Sequence, residues 1–187
     1  MRVAPLLIAL LLPLAAEAAT APAAHTATKT PLETLFGQLA QAPSPEAAKP
    51  IETQIGAIFL QSGSASIDLL MSRAAAAQAA GDRDTARKLI DAVTDVAPSY
   101  AEGWHSRAGL QRASGDDSGA IVSLEHVILL NPRHFAALVE LGNMLEDYGN
   151  KPAALKLYRK ALEYDPQLDG ARRHIDALTR DVEGQGI

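Results

Sequence analysis

The chain contains no cysteine, so it has no disulfide bonds, no thiolate metal ligands and no lipobox cysteine for lipidation. Aromatic residues make up only 4 %, which argues against a sandwich or barrel, because sheets are rich in aromatic and β-branched residues. The net charge is -5, whereas nucleic-acid-binding proteins usually carry clusters of basic residues, so no nucleic-acid partner is expected. Hydrophobic residues amount to 48 %, many of them alanine, and this composition favours closely packed helices.

The N-terminus has the pattern of a secretory signal peptide. Arg2 precedes an uncharged apolar run over 3–16, and Ala16 and Ala18 supply the small residues that a signal peptidase reads. We predict a signal peptide over 1–18, export through the inner membrane to a bacterial periplasm, and no stable membrane span after cleavage. The alternative is an uncleaved N-terminal anchor, although the run is shorter than the roughly 20 apolar residues that cross a bilayer.

The most informative feature of the chain is an internal period. Three prolines, Pro98, Pro132 and Pro166, recur every 34 residues. A fixed period of this size is typical of helical repeat proteins. When the three units are aligned, other equivalent positions, or columns, also carry the same kind of residue. These columns are Gly81, Gly115 and Gly149; Asp82, Asp116 and Asn150; Ala86, Ala120 and Ala154; and the large apolar residues Leu70, Trp104 and Leu138.

Each column has a physical role in a helix–turn–helix unit. Glycine adopts the left-handed conformation that ends a helix. The Asp or Asn after it accepts hydrogen bonds from the free amides that open the next helix. The alanine lets the two helices approach closely. Proline closes the second helix, because it lacks an amide proton and disfavours helical geometry in the residue before it.

On these residues the chain resembles the tetratricopeptide repeat (TPR) family, in the form of a secreted or periplasmic bacterial member. The resemblance implies an all-α, right-handed α-solenoid that binds a protein or peptide partner and has no catalytic activity. The third unit carries the fullest pattern, and the matching residues are Leu141-Gly142, Ala154, Tyr158, Ala161 and Pro166 in that unit, Trp104, Ala120 and Pro132 in the second, and Leu70, Ala86 and Pro98 in the first.

Apolar residues at helical spacing also predict helices on both sides of the repeats. Before the repeats, a capping-box sequence opens at Thr30. After them, an amphipathic stretch is expected to form the solvated end cap that a solenoid requires. The predicted organisation is a signal peptide (1–18), a flexible lead-in (19–30), a degenerate N-terminal helix pair (31–64), three TPR units (67–100, 101–134 and 135–168), a capping helix (169–183) and a tail (184–187).

No catalytic motif is present, and we expect no catalytic, cofactor-binding or metal site. The serine-rich segment 62–66 lies between two predicted helices, so a flexible turn is favoured over a nucleophile. The five histidines are not spaced to place two of them on adjacent turns of one helix, and a zinc site needs three or four converging ligands. They are therefore predicted to be ordinary surface or groove residues.

The resemblance implies that the first helix of each unit lines the concave face. The residues expected to contact a partner there are Met71, Gln78, Glu102, His105, Arg112, Asn143 and Glu146. Chaperone-binding members hold a C-terminal carboxylate with basic and amide side chains, but the matching positions here are Met71, Ala75, Ser106, Ala136 and Glu140. Capture of a carboxylate is thus not expected. The alternatives are a self-associating envelope protein, forming a weak homo-oligomer, and an enzyme with an unrecognised site.

Overall fold

The computed structural model describes residues 30–182 and 184, and within that part the backbone is all-helical. The predicted signal peptide, the lead-in up to residue 29 and most of the predicted tail lie outside the described residues. The helices are α1 (Pro31–Leu39), α2 (Pro45–Phe59), α3 (Ala65–Ala79), α4 (Arg83–Val96), α5 (Ala101–Ala113), α6 (Asp117–Leu130), α7 (Phe135–Asp147), α8 (Lys151–Tyr164) and α9 (Asp169–Val182).

The turn between the two helices of each unit has the predicted chemistry. Gly81, Gly115 and Gly149 have φ of 78°, 81° and 80°, a region that side chains with a Cβ rarely adopt. The residue after each glycine is the N-cap of the following helix. Its side chain accepts a hydrogen bond from the backbone amide three residues on, as in the 3.1 Å bond from Thr85 N to Asp82 Oδ1.

The three hairpins, α3–α4, α5–α6 and α7–α8, stack into a solenoid. Each hairpin has an alanine at the equivalent position of its second helix, and this alanine is fully buried in all three: Ala86, Ala120 and Ala154. Between hairpins, α4 packs along α5 and α6 along α7, and α9 covers α8 at the end of the array. The predicted all-α solenoid with a C-terminal capping helix is confirmed.

The N-terminal pair α1–α2 packs differently from the expected first layer of the stack. α2 does not run along α3 as α4 runs along α5. Instead, the buried side chains of Phe36 and Leu39 join one core with Phe135, Leu138 and Ala161 of the third unit. The Phe36 ring lies 6.5 Å from the Phe135 ring and 6.3 Å from the Tyr164 ring between centroids.

Polar contacts hold α1–α2 against the loops that join the units. Gln167 donates from Nε2 to the Ala42 carbonyl at 2.6 Å, and the Arg133 guanidinium lies 3.6 Å above the Phe36 ring. The Arg133 side chain also pairs with a carboxylate of α1 at 2.5 Å. The pair therefore lies across the loop edge and the first turn of α7, where it covers part of the concave face.

The register explains why α3 does not accept a preceding helix. Leu69 of α3 and Gly103 of α5 occupy equivalent positions, one repeat apart. At Gly103 the neighbouring helix α4 lies so close that an added Cβ would be 2.9 Å from Val93 Cγ1. A leucine at this position holds a neighbouring helix away, and Leu69 is 51 % exposed. The apolar stripes of α1 and α2 predicted their helical form correctly, but not the surface on which they pack.

Candidate functional site

An open groove lies between α3 and α5 on the concave side. It has a volume of about 300 Å³ and is lined by Met71 and Gln78, as predicted from the register, together with Ala75, Ser106 and Leu110. Leu60, which follows α2, contributes to its wall. This part of the predicted face is accessible to a partner.

Two predicted residues of the third unit are engaged within the protein. The Tyr158 hydroxyl lies 2.8 Å from both Asn143 Oδ1 and Glu146 Oε2, so its single proton is shared between the two acceptors. Glu146 Oε2 also lies 2.8 Å from His174 Nδ1 of α9. Burial, followed by the hydrogen bond to Glu146, raises the pKa of Tyr158. Ala136, in the first turn of α7, is packed against the α1–α2 core. The concave face of the third unit is thus largely occupied by the chain itself.

Of the three remaining predicted residues, Glu102 and His105 belong to a largely buried polar cluster where α5 and α7 begin. Arg112 lies exposed in the last turn of α5, outside this cluster and outside the lining of the groove. His134 is the N-cap of α7, and its Nδ1 accepts from the Ala137 amide at 3.1 Å. That nitrogen therefore carries no proton, and His134 donates from Nε2 to Glu102 Oε1 at 2.8 Å. The N-cap role fixes the orientation of the ring.

His105 bridges two carboxylates. Its Nδ1 lies 3.2 Å from Glu102 Oε2 and its Nε2 3.1 Å from Glu140 Oε1, so both ring nitrogens donate and the ring is an imidazolium. Burial opposes this charge, but the hydrogen bonds to Glu102 and Glu140 outweigh burial and raise the pKa of His105 to about 10. Burial also opposes the Glu102 carboxylate, yet its bonds from His105 and His134 lower its pKa to about 2.

This polar cluster forms one wall of a cavity of about 480 Å³ between α2 and the solenoid. The Phe59 ring of α2 stacks on the His134 ring with 5.2 Å between centroids. Lys49 and Glu52 of α2 line the opposite side. The N-terminal pair therefore closes a largely apolar space over charged groups of α5 and α7.

A second titratable group stands near this cavity. Asp165, in the loop after α8, is fully buried; its Oδ1 accepts from the Gln167 amide at 3.0 Å. Its Oδ2 has no hydrogen-bond partner in the described chain. Burial raises the pKa of Asp165 to about 6; the Gln167 amide opposes that shift, and the nearby Glu52 adds to it.

The interpretation of the histidines as ordinary surface or groove residues is wrong for His134, which is buried with its ring 4.6 Å from that of His105 between centroids. One ligand atom each from Glu102, His105 and His134 lie within 4.8 Å of one another, a grouping that is able to hold a metal ion. Spacing along one helix does not detect such a pair, because a solenoid brings together residues about one repeat length apart on different helices. His105 and His134 are 29 positions apart, and this offset is the signal that would have found them.

The sequence is similar to that of a TPR repeat-containing protein from Rhizobium etli. The two chains are 32 % identical over 161 residues, which cover 86 % of this chain and 79 % of the relative. This chain belongs to the tetratricopeptide repeat family. No protein-family model matches it.

Solved TPR structures share the fold. The type III secretion chaperone SycD of Yersinia enterocolitica, in complex with a peptide of the translocator YopD, has a TM-score of 0.57 at 15 % identity over 63 % of this chain and 95 % of SycD. The first TPR domain of Spaghetti, bound to an HSP90 peptide, has a TM-score of 0.57 at 17 % identity over 63 % of this chain and 93 % of that domain. Between residues 30 and 182, no TPR or flanking helix is long and apolar enough to cross a membrane.

Proposed function

We propose that the protein is a non-catalytic adaptor of the bacterial cell envelope that binds an extended or helical segment of another protein in the groove between α3 and α5. TPR proteins mediate protein–protein interactions, and the SycD and Spaghetti structures hold peptides. The observation that carries the proposal is the open groove beside Met71 and Gln78. The envelope location rests on the signal-peptide pattern of residues 1–18.

The chemistry of the groove favours a segment with apolar side chains and free backbone groups. Met71 and Leu110 offer apolar contacts, and methionine adapts its shape to different partners. Gln78 and Asp68 supply hydrogen-bonding groups at the same groove. Asp68 is the charged side chain in the lining of this groove, and its negative charge repels a C-terminal carboxylate. The partner segment is therefore internal to its chain rather than a free C-terminus.

Affinity capture of the mature protein tests the proposal. The double variant Met71→Glu and Gln78→Lys changes the groove, whereas Val122→Glu changes an exposed residue of α6 outside it and serves as the matched control. We expect the groove variant to lose the partner that the wild type and the control retain. Retention by all three proteins contradicts the groove assignment.

Self-association is the second candidate, because Leu69 leaves an exposed apolar side chain at the open end of the array. Light scattering across a range of concentrations distinguishes the candidates. A monomer at every concentration excludes self-association, whereas a dimer that Leu69→Gln abolishes supports it.

A further inference from the structure

The start of α5 and the N-cap of α7 bring a glutamate and two histidines together at one junction. We propose that Glu102, His105 and His134 form a binding site for a divalent transition-metal ion of the zinc class. Imidazole nitrogen and carboxylate oxygen are the ligand types that zinc accepts in proteins. The site goes beyond the proposed partner groove, because Met71 and Gln78 line a separate space.

The ligand atoms lie close to the spacing that one ion requires, all within 4.8 Å of one another. Two ligands of a tetrahedral zinc ion, each bound at about 2.0–2.1 Å, lie about 3.3 Å apart. Glu102 Oε2 and His105 Nδ1 are 3.2 Å apart, and Glu102 Oε1 and His134 Nε2 are 2.8 Å apart. These two contacts use different oxygens of Glu102, so one ion is held either by both oxygens of this carboxylate or after the side chains move closer together.

The charge balance also favours a divalent cation. Without metal, the carboxylates of Glu102 and Glu140 share the imidazolium of His105, so these three side chains carry a net charge of -1, which Arg112 offsets in part near Glu140. When His105 Nδ1 binds a divalent ion, it releases its proton, and the two positive charges of the ion balance the two carboxylates. A buried charge is stable only when it is paired or coordinates a metal.

A hydrogen bond to Glu140 holds the His105 ring in place on the side away from the proposed ion. His105 Nε2 donates to Glu140 Oε1 at 3.1 Å, and a carboxylate on the outer nitrogen orients a metal-binding histidine and raises its basicity. His134 binds through Nε2 after its proton moves to Nδ1, and the hydrogen bond from the Ala137 amide is then lost. That single cap bond is weak beside three metal–ligand bonds.

The position in the fold leaves room for further ligation. The cluster faces the cavity of about 480 Å³ beneath α2, so a water molecule completes the coordination from that side. The three protein ligands come from α5 and from the N-cap of α7. A bound ion therefore connects two neighbouring repeats directly under the N-terminal pair.

Titration of tag-free, chelator-treated protein with Zn²⁺ and with Co²⁺ tests the site. We expect binding of one ion per chain, release of about one proton, and the visible absorption spectrum of tetrahedral Co²⁺ with nitrogen and oxygen ligands. His105→Gln and Glu102→Gln are expected to weaken binding by at least 100-fold. Glu140→Gln, behind the ligands, is expected to weaken it by about 10- to 100-fold.

His126→Gln is the matched control, because His126 stacks on Trp104 at 4.2 Å and lies outside the cluster. Its affinity is expected to equal that of the wild type. Circular dichroism confirms that each variant is folded, and the Co²⁺ spectrum of the wild type needs no variant at all. The absence of stoichiometric binding to the wild type, or equal affinity in His105→Gln, overturns the proposal, and neither result bears on the groove.

Discussion

Replacement of Phe36 by alanine should release the N-terminal helix pair from the solenoid. The Phe36 side chain is only 6 % exposed, and its ring contacts Phe59, Phe135 and Tyr164 with centroids 6.3–6.5 Å apart. Removal of a buried phenylalanine costs about 3–5 kcal/mol. Since α1–α2 does not stack along α3, this loss falls mainly on the docking of the pair. Each 1.4 kcal/mol changes the equilibrium constant for opening about tenfold, so the open state of the pair should be at least about 100 times more populated.

Hydrogen exchange measured by mass spectrometry detects this opening, because amides exchange only when their local structure opens. We expect residues 31–59 to lose protection in Phe36→Ala, while α5 to α8 keep theirs. Leu129→Ala, at a highly exposed position of α6, is the control and should leave both regions unchanged. Equal loss of protection across the whole chain, or none at 31–59, refutes the docking of α1–α2 on the third unit.

Three further changes test the packing and the charges by urea unfolding. Gly142→Ala should destabilise by about 1–3 kcal/mol, because its Cβ would lie 2.7 Å from Tyr158 Cε1, whereas Gly109→Ala, with open space around it, should be neutral or stabilising. Because the pKa of His105 is raised to about 10, its imidazolium stabilises the folded protein fully below pH 6.5, and this stabilisation is lost as pH rises through 10. His105→Gln should therefore flatten the decline in the free energy of unfolding over that range. The raised pKa of Asp165, about 6, makes its ionisation destabilising as pH rises from about 4 through 6, so Asp165→Asn should stabilise the protein at pH 8 by about 1–3 kcal/mol. A normal stability in Gly142→Ala, or unchanged pH profiles in the other two variants, would contradict these assignments.

The repeat itself could be predicted from local chemistry. Gly81, Asp82 and Ala86 each perform a role set by backbone geometry or close packing, and their recurrence fixed the hairpins and their order. The residues that line the open groove, Met71 and Gln78, followed from the same register. The fold prediction succeeded because neighbouring units repeat the same contacts, whereas the binding role of Met71 and Gln78 stays a prediction.

The packing of α1–α2 and the polar cluster depend on contacts that the period does not encode. The stripe that contains Phe36 shows that a face is buried, but not that its partner is Phe135, about a hundred residues away. His105 and His134 meet only because the first turn of α5 lies beside the N-cap of α7. Leu69, in a column otherwise filled by small residues, was the one sequence signal that the stack begins at α3.

Site-specific photo-crosslinking in living cells tests the partner groove most directly. A photoreactive amino acid is placed at Met71, inside the groove, and separately at Val122 on the exposed face of α6. We expect one discrete crosslinked partner from position 71, formed in the envelope fraction, and none from position 122. Crosslinks to the same partner from 122 but not from 71 would contradict the groove assignment.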